Sequence, residues 1–198
     1  MKTKIDRATA KRLAEEVVRD LADACDRIEI AGSIRRAAPV IGDLEIIAIA
    51  KPGRDLFGES ATAPTELSVR VDELLAAGRF SDRPRNGPNF KQLVLPWWIP
   101  ATGSKQAPPT ATKQAAQVDL FITSAKQWAV QLAIRTGPAD YSKRLVTRQS
   151  WGGLLREGLT VSSGRVWESG KALDLVDEQD FFERCIVGGF VPPASRYN

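Results

Sequence analysis

The sequence predicts an α+β fold, in which strands and helices follow one another along the chain without a repeating unit. Three apolar runs are typical of buried strands, at residues 28–31, 46–50 and 118–122. Segments with helical spacing of apolar residues precede, separate and follow these runs. Of the 198 residues, 43% are hydrophobic. This composition excludes a wholly disordered chain and allows a sizeable core.

The N-terminal part begins with an amphipathic helix over residues 8–25, where apolar side chains recur at helical spacing. A strand over residues 27–31 follows and ends at Gly32, whose missing side chain lets backbone amides approach a ligand. Ser33 is then expected to cap a short helix whose N-terminus favours phosphate. A Gly-Ser pair alone is common in turns, so this interpretation depends on the residues that follow.

The next strand, over residues 43–50, carries two acidic side chains. Asp43 and Glu45 are separated by one residue, so both project from one face of an extended strand. Asp119 opens a later strand and supplies a third carboxylate if the two strands are neighbours. Carboxylate oxygens are the ligands that Mg²⁺ prefers. An Asp-x-Glu pair is usually a solvated face, but its order and spacing between a Gly-Ser turn and Asp119 indicate a metal site.

The middle of the chain is predicted to hold a helix and a β-hairpin. The helix starts at Pro64 and ends at Gly78. Residues 80–83 and 90–95 are expected to pair as antiparallel strands around an Asn-Gly turn at 86–87.

Residues 99–116 are rich in Pro, Thr, Ala, Gly and Lys and contain no acid, which predicts a mobile loop. Lys105 and Lys113 are candidates for nucleic-acid contact, although a plain surface connection is the simpler interpretation.

The C-terminal third is predicted to contain helices at 125–135 and 139–156, short strands around 159–168 and an acidic helix near 177–185. The second of these helices carries four basic residues against Asp140. They are Lys143, Arg144, Arg148 and Arg156. Such a run is usually a solvated face, but it is also suited to binding phosphates without sequence specificity.

Together these residues resemble the palm of the DNA polymerase β-like nucleotidyltransferases, specifically DNA polymerase family X. The resemblance rests first on residues 32–45 and on Asp119. It continues through residues 117–144, where a helix leads to a Thr-Gly turn, and it ends with a Phe-x-Pro-Pro sequence at 190–193.

The resemblance implies a nucleotidyltransferase palm over residues 1–137, with a mixed β-sheet flanked by helices, and a small α/β thumb over 138–198. Asp43 and Glu45 would bind two Mg²⁺ ions, with Mn²⁺ as a substitute, and Asp119 would join them on the ion that activates the primer hydroxyl. Nucleotide contacts are expected from Gly32, Ser33, Arg36, Gly42, Ile134, Arg135, Thr136, Gly137 and Tyr141. DNA contacts are expected from Lys91, Lys143, Arg144 and Arg148.

The implied function is that of a template-dependent DNA polymerase that adds deoxynucleotides to a primer 3′ hydroxyl and fills short gaps in DNA repair. Two alternatives stay open: a template-independent nucleotidyltransferase acting on a 3′ end, RNA or another acceptor, and a non-catalytic DNA-binding relic of the fold. The chain departs from the family pattern at Glu45, where most members have Asp. It also has Ile134-Arg135 where many members have aromatic residues associated with sugar recognition. Tyr141 either stacks on the incoming base or packs internally.

The expected partners are a dNTP and DNA, as primer-template or gapped duplex, bound by a monomer. The chain contains no histidine, which excludes His-dependent nucleophilic catalysis and any His-ligated metal. Cys25 and Cys185 are expected to be reduced, buried thiols. Because no apolar stretch is long enough to span a membrane and no leader is evident, we expect a cytoplasmic protein without membrane contact.

Overall fold

The computed structural model describes residues 4–55, 58–60, 62–99 and 112–196, which form both strands and helices. The strands are β1 (Ile5–Asp6), β2 (Cys25–Ile30), β3 (Val40–Ile41), β4 (Leu44–Ala50), β5 (Gly53–Asp55), β6 (Gly58–Ser60), β7 (Asp82–Asn86), β8 (Phe90–Ile99), β9 (Thr112–Thr123), β10 (Leu159–Ser162), β11 (Arg165–Glu168) and β12 (Lys171–Ala172). The helices are α1 (Arg7–Leu21), α2 (Gly32–Arg35), α3 (Glu66–Ala76), α4 (Trp128–Thr136), α5 (Ala139–Leu145) and α6 (Glu178–Cys185). Across the described ranges, no helix combines the length and apolar character needed to cross a membrane.

The central sheet has five strands in the order β2-β4-β9-β8-β7. Strands β4 and β9 are parallel, and every other neighbouring pair in this sheet is antiparallel. The sheet is therefore mixed, and helices flank it, which confirms the α+β prediction at this level. The predicted hairpin is also confirmed, since β7 and β8 pair antiparallel.

One face of the sheet forms the main hydrophobic core. Along β9, Ala116, Val118 and Leu120 are buried, while the intervening side chains point to the other face. Helices α1 and α3 cover the buried face with apolar residues that recur at helical spacing. Contributors from these helices include Leu13, Val17, Leu21, Leu67 and Val71.

Helix α4 lies between this sheet and a second core. Trp128 and Leu132 form a small cluster with Ile47 of β4, against which Phe121 of β9 also packs. Other residues of the same helix, including Val130, belong to the second core. That core also contains Leu145 of α5, Val166 of β11, and Phe181, Phe182 and Cys185 of α6. The α4 helix thus buries apolar side chains on both sides.

The helix predicted over residues 139–156 is too long, because α5 ends at Leu145. The Thr147 hydroxyl donates to the Lys143 carbonyl at 2.7 Å, and a left-handed turn follows at Gly152, with φ of 79°. At Gly153 a Cβ atom would collide with the Thr147 carbonyl. The chain folds back tightly after α5, and glycines at two successive positions permit this turn.

The loop predicted over residues 99–116 is also wrong at its C-terminal end. Residues 112–116 belong to β9 and pair in register with residues 95–99 of β8. Ladder hydrogen bonds to β8 hold this stretch in a strand despite its low β-propensity. Residues 100–111, including Lys105, lie outside the described residues.

Candidate active site

The three predicted carboxylates lie at one end of the β4–β9 pair. Asp43 directly precedes β4, Glu45 is its second residue, and Asp119 is the residue of β9 that stands beside Glu45 in the parallel register. Adjacent strands are about 4.8 Å apart, and side chains paired in register project from the same face. The two strands are therefore neighbours, as the prediction of a third ligand requires.

Glu45 is the most perturbed of these carboxylates. Burial and the neighbouring charge of Asp43 raise the pKa of Glu45 to about 7, with a further increase from Asp119. The guanidinium groups of Arg36 and Arg135 act in the opposite direction and lower this pKa. Glu45 therefore lies among two further carboxylates and two cations, which together form a strongly polar centre.

The glycine at the start of the short helix α2 makes room for Glu45. Gly32 has a φ of 61°, and a Cβ atom there would collide with Oε2 of Glu45. We expected the missing side chain to admit a phosphate, but the Glu45 carboxylate fills the space. A Cβ atom at Gly42 would meet no other atom within 4 Å. Of the two glycines, only Gly32 is therefore sterically required.

Ser33 does not cap α2, contrary to expectation. Ala31 occupies the N-cap position and provides no side-chain hydrogen bond. Ser33 lies inside the helix, where its hydroxyl is buried and has no hydrogen-bond partner among the described residues. With four residues, α2 is also too short to have an appreciable dipole at its N-terminus.

A cavity of about 590 Å³ opens beside the carboxylates. Asp43 and Glu45 line one part of it, and the cations Arg36, Arg135 and Lys143 line others. The rest of the wall comes from Ile134, Gly137, Pro138, Ala139, Ser142 and Val146. The cavity therefore combines acidic and basic walls, and it collects predicted residues from β4, α2, α4 and α5.

Arg135 lies in this cavity at the end of α4. Its guanidinium stacks over the Phe121 ring, with 4.0 Å from Cζ to the ring centroid. Burial lowers the pKa of Arg135, while the charges of Glu45 and Asp119 oppose that effect. Because Phe121 is two residues beyond Asp119 on the same face of β9, this stacking directs the cation towards the carboxylates.

Arg35, the last residue of α2, and the adjacent Arg36 hold the Thr136-Gly137 turn from different sides. Arg36 Nη1 donates to the Thr136 carbonyl. Arg35 Nη1 donates to Thr136 Oγ1 at 2.7 Å, and its two Nη atoms also pair with Glu178 at 2.9 and 2.8 Å. Sequence reasoning singled out Arg36 and missed Arg35. Adjacent residues on a helix point about 100° apart, so the double arginine indicated two separate targets.

Two glutamine side chains orient Asp119. Gln92 Nε2 and Gln117 Nε2 both donate to Oδ1 of Asp119, at 3.1 and 2.8 Å. Gln117 shares a face with Asp119 along β9, and Gln92 stands opposite Asp119 in the β8–β9 register. Sequence reasoning missed Gln92, because only the register of the two strands brings it to the site.

The donor set fits a hard divalent cation, since Asp43, Glu45 and Asp119 present carboxylate oxygens whose charges repel one another. The side chains are not assembled around one point, however. Within the described ranges, no group of three or more acidic, histidine or cysteine side chains could hold a metal ion as it stands.

Several other predicted residues have clear structural environments. Lys91 is only 4% exposed, and its ammonium donates to Asn86 Oδ1 at 2.6 Å. The ammonium therefore has a partner within the protein, which argues against the predicted DNA contact. Tyr141 is 9% exposed and belongs to the second core, which favours internal packing over base stacking. Arg148 is partly buried and donates to the Leu159 carbonyl at 3.1 Å, whereas Arg144 is exposed.

The chain matches no protein-family model, and a search of curated proteins found no match either.

Proposed function

We propose that this chain is a nucleotidyltransferase of the family X type, a template-dependent DNA polymerase that extends a primer 3′ hydroxyl across short gaps. The observation that carries the proposal is the parallel register of Glu45 beside Asp119, next to a cavity that also contains Arg36 and Arg135. Nucleotidyl transfer needs both features: a carboxylate centre for divalent ions and cations for the phosphates.

The cavity is suited to a nucleoside triphosphate. Its volume of about 590 Å³ is within the usual range of ligand pockets, roughly 300–1,000 Å³. Guanidinium groups bind phosphate oxygens in pairs, and Arg36, Arg135 and Lys143 all line the cavity. In this proposal the three cations bind the triphosphate and direct its α-phosphate towards the carboxylates.

Asp43, Glu45 and Asp119 would hold two Mg²⁺ ions, for which Mn²⁺ is the expected substitute. Such ions, when bound, neutralise phosphate charge and align the attacking hydroxyl with the leaving group. The protein's own contribution is to keep the ligands in place. Gln92 and Gln117 hold the carboxylate of Asp119, and Gly32 provides the space for Glu45.

Primer extension on DNA with a one-nucleotide gap tests this function. We expect extension that requires a divalent ion and falls by at least roughly 100-fold in Asp119→Asn, since loss of even an outer-shell partner costs 10- to 100-fold. Asparagine keeps the oxygen that accepts from Gln92 and Gln117, so the fold should survive. The matched control is Asp26→Asn on the exposed side of β2, which should retain activity. Full activity of a folded Asp119→Asn variant would overturn the proposal.

A template-independent transferase is the second candidate. Arg135 favours it, because a cation stacked on Phe121 occupies the turn where the resemblance leads us to expect aromatic recognition of the sugar. Extension rates on single-stranded and gapped DNA, each with deoxy- and ribonucleotides, separate the two candidates. A strong preference for gapped DNA with the templated deoxynucleotide supports the polymerase, and equal extension of single strands supports the transferase.

A further inference from the structure

Strands β8 and β9 continue past the end of the central sheet as a two-stranded ribbon. Strand β4 begins at Leu44, which stands beside Val118, so residues 112–117 of β9 extend beyond it. Strand β7 reaches along β8 only as far as Val94. We call residues 94–99 of β8 and 112–117 of β9 the ribbon. It extends from the end of the sheet where the carboxylates lie.

One face of the ribbon is continuous with the face that bears Asp119. Side chains alternate along a strand, so Gln117, Ala115 and Lys113 follow Asp119 on that face of β9. The register places Gln92, Val94, Pro96 and Trp98 beside them on β8. The opposite face carries Leu93, Leu95 and Ala116, which are buried in the main core. The ribbon is therefore anchored on one side and open on the side that leads to the carboxylates.

The open face ends in a tryptophan beside a lysine. Trp98 stands directly opposite Lys113 in the register; Trp98 is 58% exposed, and Lys113 and Ala115 are also exposed. Between this pair and the glutamines that hold Asp119, the face carries the uncharged side chains of Val94, Pro96 and Ala115. An apolar track that ends in a cation complements a sugar-phosphate strand, in which deoxyribose and phosphate alternate.

The length of the track corresponds to a number of base pairs. Six residues separate Lys113 from Asp119, which at a rise of about 3.3 Å per residue spans roughly 20 Å. The base pairs of a DNA duplex rise about 3.4 Å each along the helix axis. A duplex that runs along the ribbon from a 3′ end at Asp119 would therefore reach Trp98 about six base pairs upstream.

We propose that the open face of the ribbon binds the backbone of a DNA duplex whose recessed 3′ end lies at the carboxylates, with Trp98 packed against a deoxyribose and Lys113 paired with a neighbouring phosphate about six base pairs upstream. This inference rests on the proposed function, because it takes the 3′ end to lie at Asp119. The contact is to the backbone and is independent of base sequence.

Binding measured against duplex length tests the proposal. The substrates are DNA stem-loops with a fixed recessed 3′ end and template overhang, whose stems grow from about 4 to about 12 base pairs. Fluorescence anisotropy without divalent ion or nucleotide gives the dissociation constant for each length. We expect the affinity of the unmodified protein to rise severalfold as the stem passes about six base pairs. Trp98→Ala and Lys113→Gln should each reduce this step while leaving affinity for the short stems unchanged.

Salt dependence isolates the lysine contribution. For long stems, Lys113→Gln should reduce the slope of log K against log salt concentration by about one, because one phosphate contact is lost. Lys171→Gln removes an exposed lysine on β12 and should leave both the slope and the length step unchanged. Trp151→Ala removes a tryptophan that is 73% exposed outside the ribbon and should leave the length step in place.

The inference is overturned if the affinity of the unmodified protein does not rise with stem length, or if the rise survives both ribbon substitutions. It is also overturned if these substitutions reduce the affinity equally at all stem lengths. Self-association that depends on Trp98, without a length step, would assign the face to a second copy of the chain and would also overturn it. Absence of nucleotidyl transfer in the gap assay would refute the proposed function alone, since the length step is measured without catalysis.

Discussion

At Glu45, burial and the neighbouring carboxylates disfavour the ionised side chain, while two arginines favour it. The carboxylate lies against the Cα atom of Gly32, where a side chain would collide with it. Burial there, with the charge of Asp43, raises the pKa of Glu45 to about 7. A carboxyl group binds a cation only when it is ionised, and the ionised form of Glu45 is the one that burial and Asp43 disfavour. We infer that Glu45 lowers the stability of the unliganded protein.

The first prediction is that Glu45→Gln stabilises the unliganded protein at alkaline pH. The folded pKa, about 7, lies above the unfolded value, so the folded protein binds more protons between them. The stability of the unmodified protein should therefore fall as pH rises from about 4.5 to above 7, and then level off. The variant lacks this loss. At pH 8 its free energy of unfolding should exceed that of the unmodified protein by an amount on the order of 3 kcal/mol.

Urea unfolding in a chelating buffer at several pH values measures this difference. Glu15→Gln changes an exposed glutamate of α1 and serves as the control, with no comparable trend. Adding Mg²⁺ or Mn²⁺ at pH 8 should stabilise the unmodified protein more than the variant, because a bound ion favours ionised ligands. Equal stability of Glu45→Gln and the unmodified protein at pH 5 and pH 8 would contradict the prediction.

Single residues of the site differ in how far the sequence predicts them. Asp43, Glu45 and Asp119 are predicted from their order and spacing on apolar strands, and the parallel register confirms that Glu45 and Asp119 are neighbours. Gln92 was not, because its side chain is common on surfaces and only the β8–β9 register brings it to Asp119. Ser33 was assigned the wrong role, since the helix begins at Gly32, two residues earlier than a cap at Ser33 would require.

Among the secondary-structure elements, α2, α4 and α6 are joined by one buried ionic cluster. Glu178 of α6 accepts a bidentate pair from Arg35 and a further hydrogen bond from Arg196 at 2.8 Å. The Arg196 guanidinium lies 4.6 Å from the Phe182 ring centroid. Since Arg35 also donates to Thr136, the cluster positions the turn that lines the cavity relative to α2.

The second prediction concerns Glu178→Gln in this cluster. The substitution leaves Arg35 and Arg196 without a counter-charge, and breaking a buried pair in this way costs about 3–5 kcal/mol. Urea unfolding at neutral pH should show a loss of this size. Asp174→Asn is the control, because Asp174 pairs with Arg165 at 3.3 Å while its side chain is 92% exposed. It should change stability by no more than about 0.5 kcal/mol.

The same cluster predicts an acid-sensitive component of stability. Burial alone would raise the pKa of Glu178, but hydrogen bonds from Arg35 and Arg196 outweigh it and lower the pKa below the ordinary value. The contribution of Glu178 should therefore be complete above about pH 4.5 and be lost as pH falls through the lowered value. A stability difference between Glu178→Gln and the unmodified protein that does not shrink in acid would contradict this account.

Helices and strands were predictable where the periodicity of apolar residues is strong. They were less predictable where strand pairing or a glycine turn decides the conformation. The apolar runs of β4 and β9 and the helical spacing of α1 identify those elements directly. Residues 112–116 have the composition of a loop, yet their partner strand β8 holds them in the sheet. The segment after α5 has apolar residues at helical spacing, but α5 ends at Leu145 and the chain then turns at Gly152 and Gly153.

At the scale of the whole molecule, α4 connects the central sheet to the second core. Leu132 of α4 packs towards Ile47 of the central sheet, while Val130 belongs to the core formed with α5 and α6. The boundary predicted at residue 137 lies directly after this helix. Whether the two sides unfold separately depends on α4, because it packs against the sheet on one side and belongs to the second core on the other.

The third prediction is that the described parts of the chain unfold in one cooperative transition. Unfolding of either the sheet side or the second core would expose an apolar face of α4. The free energy of unfolding of each side therefore depends on the other. A calorimetric scan should show a single peak whose calorimetric and van't Hoff enthalpies agree. Leu132→Ala removes a contact on the sheet side and should cost about 2–5 kcal/mol. The midpoint of the whole transition should fall. The hydrogen-exchange protection of α6 should fall with it, although Leu132 and the residues of α6 belong to different clusters. Two resolved transitions, or unchanged protection of α6 in Leu132→Ala, would show that the cores are independent.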